Sequence, residues 1–174
     1  GAALLAARGG IRAGAGLVTI ASPKKAVPMY ATDLPEFIVK KFSSFDNLRG
    51  YFKTKKVSGF VIGPGLGIGS KLRRLIISCV QSGVPVVLDA DAISNFADSP
   101  ERLFNATIAG NAVLTPHEGE FKRIFNFKGS KLSRATQAAR LSGAVVLLKG
   151  PRTVIAAPDG RVAINDNAPA WLAT

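Results

Sequence analysis

Four short stretches of the 174-residue chain combine residue types and spacings that could do chemistry. Gly63-Pro64-Gly65-Leu66-Gly67-Ile68-Gly69-Ser70 sets four glycines at alternate positions between an apolar run and a helical pattern. Glycines let backbone amides approach a ligand closely, and a following helix N-terminus favours an anion. The loop fits neither common phosphate fingerprint, because Ile68 stands where a G-x-G-x-x-G starting at Gly63 needs glycine, and Lys71 follows Ser70 rather than a glycine. A plain strand-to-helix turn is the alternative. In Asp89-Ala90-Asp91, two carboxylates at i and i+2 project to one side of an extended strand, which suits a magnesium ion, a ligand hydroxyl or acid-base work. One of the two capping the helix expected near Ala92 is an equally good account.

The third stretch is Thr115-Pro116-His117-Glu118-Gly119-Glu120-Phe121. Thr115 as N-cap, Pro116 at the first helical position and Glu118 three residues after the cap make a capping box. His117, the one histidine of the chain, is left over. In the first turn the helix dipole disfavours its protonated form, so it reads as a neutral hydrogen-bonding group. A surface histidine without a task is the plainer reading. The fourth stretch, Lys149-Gly150-Pro151-Arg152-Thr153, puts cations at a tight turn that can hold phosphate through Lys149, Arg152 and exposed amides. A hairpin corner with solvated charges is its alternative.

The elements that must position these stretches are strands and helices in alternation. Val- and Ile-rich runs bounded by Gly, Pro or Asp recur between helical patterns, the signature of an α/β fold around a mostly parallel sheet. Helices are expected at Ala2 to Ala13, Lys71 to Gln81, Ala92 to Ala97, Pro116 to Phe127 and Leu132 to Leu141. Strands are expected at Leu17 to Ala21, Phe60 to Ile62, Val86 to Leu88, Ala112 to Leu114 and Ala144 to Leu148. Thr153 to Ala157 and Arg161 to Ile164, joined by Pro158-Asp159-Gly160, read as a hairpin that adds antiparallel strands at one edge. Each of the four stretches then follows a strand, where open α/β sheets bind their ligands.

Composition narrows the function classes. With 47% apolar residues and no run of 18 uncharged apolar residues, the chain is a globular domain with a sizeable core and spans no bilayer as a helix. The lone Cys79 excludes an internal disulfide framework and a Cys-rich zinc site; it reads as a buried small side chain, and the compartment as reducing. A formal charge of +12 would suit nucleic acid, an anionic surface or a polyphosphate ligand. The densest basic patch, Lys40 to Lys56, interleaves aromatics with lysines as a single-strand binder does. Helical spacing of Ile38, Phe42, Phe45, Leu48 and Phe52 explains it instead as one buried face beneath a solvated one. A Gly loop, a carboxylate pair, a neutral His and a basic turn, all at strand ends, fit a polyphosphate small molecule better than nucleic acid.

The same four stretches carry a resemblance. Val61 to Gly67, Val87 to Ala92, Leu114 to Phe121 and Leu147 to Gly150, in this order and spacing, resemble the ADP-dependent NAD(P)H-hydrate dehydratases, a carbohydrate-kinase-related family. Gly1 to Leu5 and Gly14 to Thr19 share it, so the resemblance runs the whole chain. It implies a ribokinase-like three-layer α/β/α sandwich, one domain over residues 1–174 that is incomplete at both ends. It implies a cytoplasmic repair lyase in which ADP or ATP, with Mg2+, phosphorylates the ring hydroxyl of hydrated NADH or NADPH, after which phosphate is eliminated. Carried over by position, Ala2, Gly65, Gly67 and His117 line the hydrate pocket. Lys149, Gly150, Pro151, Arg152 and Thr153 border the adenine nucleotide, and Asp89 and Asp91 give polar support, with no metal ligand assigned.

The resemblance further implies a homo-oligomer, with neither nucleic acid nor membrane as partner; many bacterial relatives carry an epimerase domain upstream, and the sequence leaves open whether this protein does. The family continues into a G-[S/T]-G-D segment whose amides form an anion hole and whose Asp is the base. Residues 1–174 hold no such segment, so the expected catalytic Asp lies beyond Thr174 and the fragment alone is expected to be inactive. Asp166 belongs to the preceding turn and is no substitute. Two other readings stand beside the dehydratase: a small-molecule kinase of the same fold, such as a hydroxyethylthiazole kinase relative, and a basic nucleic-acid-binding module.

Overall fold

A computed structural model describes residues 1–31, 37–42, 47–48, 50–51, 57–109 and 111–167. The chain divides into two compact units, Gly1–Val57 and Ser58–Thr174.

The first unit holds helix α1 (Ala2–Arg12), strand β1 (Thr19–Pro23), a 3-10 turn (Lys24–Ala26), helix α2 (Val27–Ala31) and strand β2 (Ile38–Phe42). Strands β1 and β2 pair in parallel, Thr19 opposite Ile38 and Pro23 opposite Phe42. Ala7, Ile20 and Phe37 form its small buried cluster, with Leu4, Ile11, Val18 and Tyr30 packed against them. The helix expected from the spacing of Ile38 and Phe42 is therefore a strand at this point. A separation of four residues returns a side chain to the same side of a helix and, being even, to the same side of a strand, so that pair does not discriminate. Ile-Val within it favours the strand. Leu48 is buried as expected, while Phe45 and Phe52 lie outside the described residues.

The second unit is built on a six-stranded sheet in simple sequence order: β3 (Phe60–Ile62), β4 (Val86–Leu88), β5 (Ala112–Leu114), β6 (Val145–Leu148), β7 (Thr153–Ala156) and β8 (Val162–Asn165). Strands β3 to β6 run parallel, and β7 and β8 are antiparallel, as the hairpin signal at Pro158-Asp159-Gly160 requires. Alternation decides which side is core. Val86, Leu88, Ala112, Leu114, Val146 and Leu148 are buried, whereas Val87, Val113, Val145 and Leu147 between them are only half-buried.

Helices α3 (Ser70–Val80), α4 (Asp91–Ser94), α5 (Pro100–Thr107), α6 (Glu118–Ile124) and α7 (Lys131–Ser142) supply the rest of that core through Ile76, Ile93, Leu103, Phe121 and Ala138, joined by Phe96 from the turn after α4. Each large apolar side chain buried here contributes about 1.5–3 kcal/mol. Phe125 stacks on Phe104 with ring centroids 5.0 Å apart and meets Phe121 at a tilt with centroids 4.8 Å apart. Cys79 is buried as expected, and burial pushes its thiol up to about 12.

Local signals explain the helix ends. Ser130 caps α7 by accepting the Ser133 amide at 3.1 Å. Gly143 ends it with φ 65°, where a Cβ would lie 2.6 Å from Ile108 Cα. Helix α5 was not foreseen, although Ser99 before Pro100 and the apolar Leu103, Phe104 and Ala106 mark its start and inner face. No described helix is long and apolar enough to cross a membrane.

Candidate active site at the carboxyl ends of the parallel strands

The backbone ladder continues past the strands and draws the four stretches to one edge of the second unit's sheet. The Asp89 amide donates to Ile62 O at 3.1 Å, the Thr115 amide to Leu88 O at 3.0 Å, and the Lys149 amide to Pro116 O at 2.9 Å. The segments after β3, β4, β5 and β6 are thereby stitched side by side. Ala2 is exposed in the first turn of α1 and belongs to the first unit.

The glycine loop after β3 is held from β4 and α4. Gly63 packs so closely against the Asp89 carbonyl that a Cβ would sit 1.7 Å from its oxygen. Gly65 and Gly67 take φ of 69° and 84°. The Gly67 amide donates to Asp91 Oδ2 and the Gly69 amide to Asn95 Oδ1, both at 2.8 Å. Asn95 Nδ2 donates back to Gly67 O at 2.8 Å. Asn95 was not foreseen as part of the site; its signal was a polar side chain one helical turn after Asp91.

The two aspartates do not converge. Ala90 between them has φ 48° and ψ −117°, which breaks the extended geometry assumed from sequence. Asp91 reaches back to the loop after β3, while Asp89 Oδ1 accepts from Lys149 Nζ at 2.6 Å, in the direction of β6. Among the described residues no three His, Cys, Asp or Glu side chains are grouped to hold a metal ion.

His117 occupies a different position from the expected one. It is itself the N-cap of α6, its Nδ1 accepting the Gly119 and Glu120 amides at 2.9 and 3.3 Å. Glu120 closes the capping box by accepting the His117 amide at 2.9 Å. The cap thus falls two residues later than Thr115, and the box runs from His117 to Glu120. Thr115 and Pro116 are spent on the strand ladder instead. Because Nδ1 is an acceptor, the ring's N–H is Nε2, 3.4 Å from Glu120 Oε1. Gly119 leaves the space that lets the imidazole fold over the helix end, since a Cβ there would meet Cε1 at 2.8 Å. Beside it, Glu118 and Arg134 form a two-pronged ion pair at 2.8 and 2.9 Å.

The basic turn is clamped from α7. Lys131 Nζ donates to Lys149 O at 2.9 Å and to Arg152 O at 2.6 Å, so an ammonium fills the inside of the turn Lys149 to Thr153. Burial lowers the Lys131 pKa, opposed by Glu118 and aided by Arg134. Gly150 admits that ammonium, for a Cβ would lie 2.5 Å from Nζ. Arg152 is exposed at the rim and Thr153 Oγ1 donates to Gly150 O at 3.1 Å. Lys131 is a second residue missed by sequence reasoning, because its signal was only a lysine opening a helix, where the dipole disfavours it.

A family model described as NAD(P)H-hydrate dehydratase matches residues 1–174. The bifunctional NAD(P)H-hydrate repair enzyme Nnr of Synechocystis sp. is 36% identical over 177 residues, covering 98% of this chain and 33% of that protein. That of Moorella thermoacetica is 36% identical over 190 residues, 100% of this chain and 35% of that protein. The chain thus spans about a third of the length of these curated relatives.

Among solved structures, the ADP/ATP-dependent NAD(P)H-hydrate dehydratase from Bacillus subtilis, co-crystallised with ATP/Mg2+, shares the fold at TM-score 0.75 and 27% identity, over 99% of this chain and 61% of that one. A ribokinase-like superfamily protein from Enterococcus faecalis shares it at TM-score 0.79 and 23% identity, over 99% of this chain and 61% of that one. That likeness bears on fold alone, and the mixed sheet agrees with the expected ribokinase-like class. With a match that runs from its first residue to its last, this chain belongs to the NAD(P)H-hydrate dehydratase family.

Proposed function

We propose that the protein repairs hydrated nicotinamide nucleotides, using ADP or ATP to phosphorylate the ring hydroxyl of hydrated NADH or NADPH and eliminating phosphate to restore the dinucleotide. The observation that carries this reading is the meeting, at one sheet edge, of a locked glycine loop, a histidine-capped helix and a lysine-clamped basic turn, within a chain matched end to end by the family. Gly65, Gly67 and His117 take the hydrate. Lys149 to Thr153 border the nucleotide, where an exposed Arg152 and the turn's backbone meet phosphates in charge-assisted hydrogen bonds.

Asp89 and Asp91 support this site through Lys149 and Gly67. Each is engaged with a different partner, so they form no protein cage for Mg2+; the ion would come with the nucleotide, held by phosphate oxygens and water. The role of base on the hydroxyl falls to the Asp of a G-[S/T]-G-D segment, a motif that residues 1–174 do not contain. The same reading takes both units as parts of one domain and places the protein in the cytoplasm. It also joins the domain to an epimerase, in keeping with the bifunctional names of relatives about three times its length, and expects a homo-oligomer.

The test supplies the complete gene product with hydrated NADH and ADP or ATP. Recovery of NADH absorbance, with one phosphate released per NADH restored, is the expected result. A phosphorylated product that accumulates without NADH points to a small-molecule kinase. Nucleic-acid binding that survives physiological salt and depends on Lys53, Lys55 and Lys56, which lie outside the described residues, points to a basic binding module.

A further inference from the structure

Asn95 is fully buried beside Ile93 and Phe96, in surroundings where an apolar side chain would pack without desolvation cost. Its amide is spent on backbone alone. Nδ2 donates to Gly67 O at 2.8 Å and to Asp91 O at 2.6 Å, and Oδ1 accepts from the Gly69 amide at 2.8 Å. Asp91, one turn earlier, takes the Gly67 amide at 2.8 Å, so both polar groups of the Gly67 backbone are fixed from α4 and the residue that ends it. A loop with four glycines in eight residues has the largest backbone freedom to lose when it orders around a ligand. A side chain that orders it beforehand removes that cost from binding.

We propose that Asn95 is a positioning residue for the dehydration: it holds the loop in the conformation in which Gly65 and Gly67 receive the hydrated nicotinamide ring, and so governs affinity for the hydrate and not for the nucleotide. The proposal rests on the dehydratase reading for the identity of the ligand. Lys131, and not Asn95, clamps the nucleotide-bordering turn from α7, so the side chain that fixes the turn differs from the one that fixes the glycine loop.

The test uses the complete gene product with Asn95→Asp, which keeps an acceptor for the Gly69 amide and loses both donations, and with Asn95→Ser as a smaller companion if the first fails to fold. The KM for hydrated NADH should rise on the order of tenfold in the variant while the KM for ADP or ATP stays within about twofold. Hydrogen exchange of the peptide spanning 63–70 should be faster in the free variants than in the free wild type, and hydrated NADH at a concentration near the wild-type KM should slow it more in the wild type than in the variants. An unchanged KM for the hydrate, equal rises in both KM values, or a wild-type loop peptide indifferent to the hydrate would each overturn the positioning role. A wild type that restores no NADH, yet whose loop is protected by the hydrate in an Asn95-dependent way, retires the dehydratase reading and supports the role of Asn95.

Discussion

Lys149 and Asp89 meet across the carboxyl edge of the sheet, Nζ to Oδ1 at 2.6 Å, although β5 runs between the strands that carry them. The basic turn is therefore tied to the same aspartate whose carbonyl packs on Gly63, so one residue touches the supports of both proposed subsites. Both side chains are about one-third exposed, and a pair so placed stabilises the fold by about 0.5–1 kcal/mol at most. Its larger effect should be on the turn. Lys149→Met should weaken ADP or ATP binding by about tenfold, measured by calorimetry, with the KM for hydrate nearly unchanged. Asp89→Asn, whose amide oxygen still accepts from Nζ, should weaken it less. Loss of hydrate use with intact nucleotide binding in Lys149→Met would contradict the placement of the nucleotide at this turn.

The observed cap role of His117 and its proposed place in the hydrate pocket can be separated by substitution. As N-cap of α6 it is replaceable by Asn, whose side-chain oxygen makes the same kind of bond, whereas Ala leaves the Gly119 and Glu120 amides without it. His117→Ala should therefore cost about 1 kcal/mol of stability in urea unfolding, and His117→Asn a few tenths. If the ring also lines the hydrate pocket, both variants should raise the KM for hydrate and spare that for nucleotide. Full recovery of hydrate use in His117→Asn would reduce the histidine to a cap.

The sequence made the sheet readable because Val86 to Leu88, Ala112 to Leu114 and Ala144 to Leu148 are short apolar runs with turn residues on both sides, and parallel buried strands leave that trace. The location of the four stretches followed from the strands. What did not follow was their wiring. Whether Asp89 and Asp91 act together depends on one dihedral at Ala90, and no residue type announces a positive φ when the residue is not glycine. Lys131 and Asn95 were illegible for a related reason. Each acts through backbone atoms of a distant segment, 18 and 28 residues away for Lys149 O and Gly67 O, and main-chain acceptors leave no mark in the side-chain pattern.

The ion pair between Glu118 and Arg134 sets an acid limb on stability. The Arg134 guanidinium hydrogen-bonded to Glu118 holds its carboxyl below the ordinary range, against a smaller opposing effect of burial. With the folded-state value depressed, the pair's contribution is complete above the unfolded carboxylate value of about 4.3 and is lost as pH falls through the depressed one. Glu118 is 42% exposed, so solvent screening keeps the effect to about 1 kcal/mol or less. Unfolding midpoints measured from pH 7 down to pH 3 should fall less steeply for Glu118→Gln than for the wild type, while above pH 6 the variant should be the less stable of the two. Parallel pH profiles would show that the pair adds nothing.

Ala90, which follows Asp89, and Gly63, which packs against the Asp89 carbonyl, make opposite demands on the residue at their position. Ala90 adopts φ 48° and ψ −117°, a sparsely populated region that costs an alanine on the order of 1–3 kcal/mol. A glycine adopts it freely but loses up to about 1 kcal/mol more entropy on folding. Ala90→Gly should therefore raise the urea midpoint, by about 1 kcal/mol in stability, with both carboxylates still anchored by Lys149 and Gly67 and the KM values little changed. Gly63→Ala goes the other way. Its Cβ would fall 1.7 Å from the Asp89 carbonyl oxygen and 2.9 Å from Ala92 Cβ, at φ 128°, so β3 and β4 would have to part at the site edge. A loss of more than about 3 kcal/mol is expected, by the same denaturation measurement. If Ala90→Gly destabilised the fold instead, the turn would be unstrained, and the divergence of Asp89 and Asp91 would come from their partners rather than from the backbone between them.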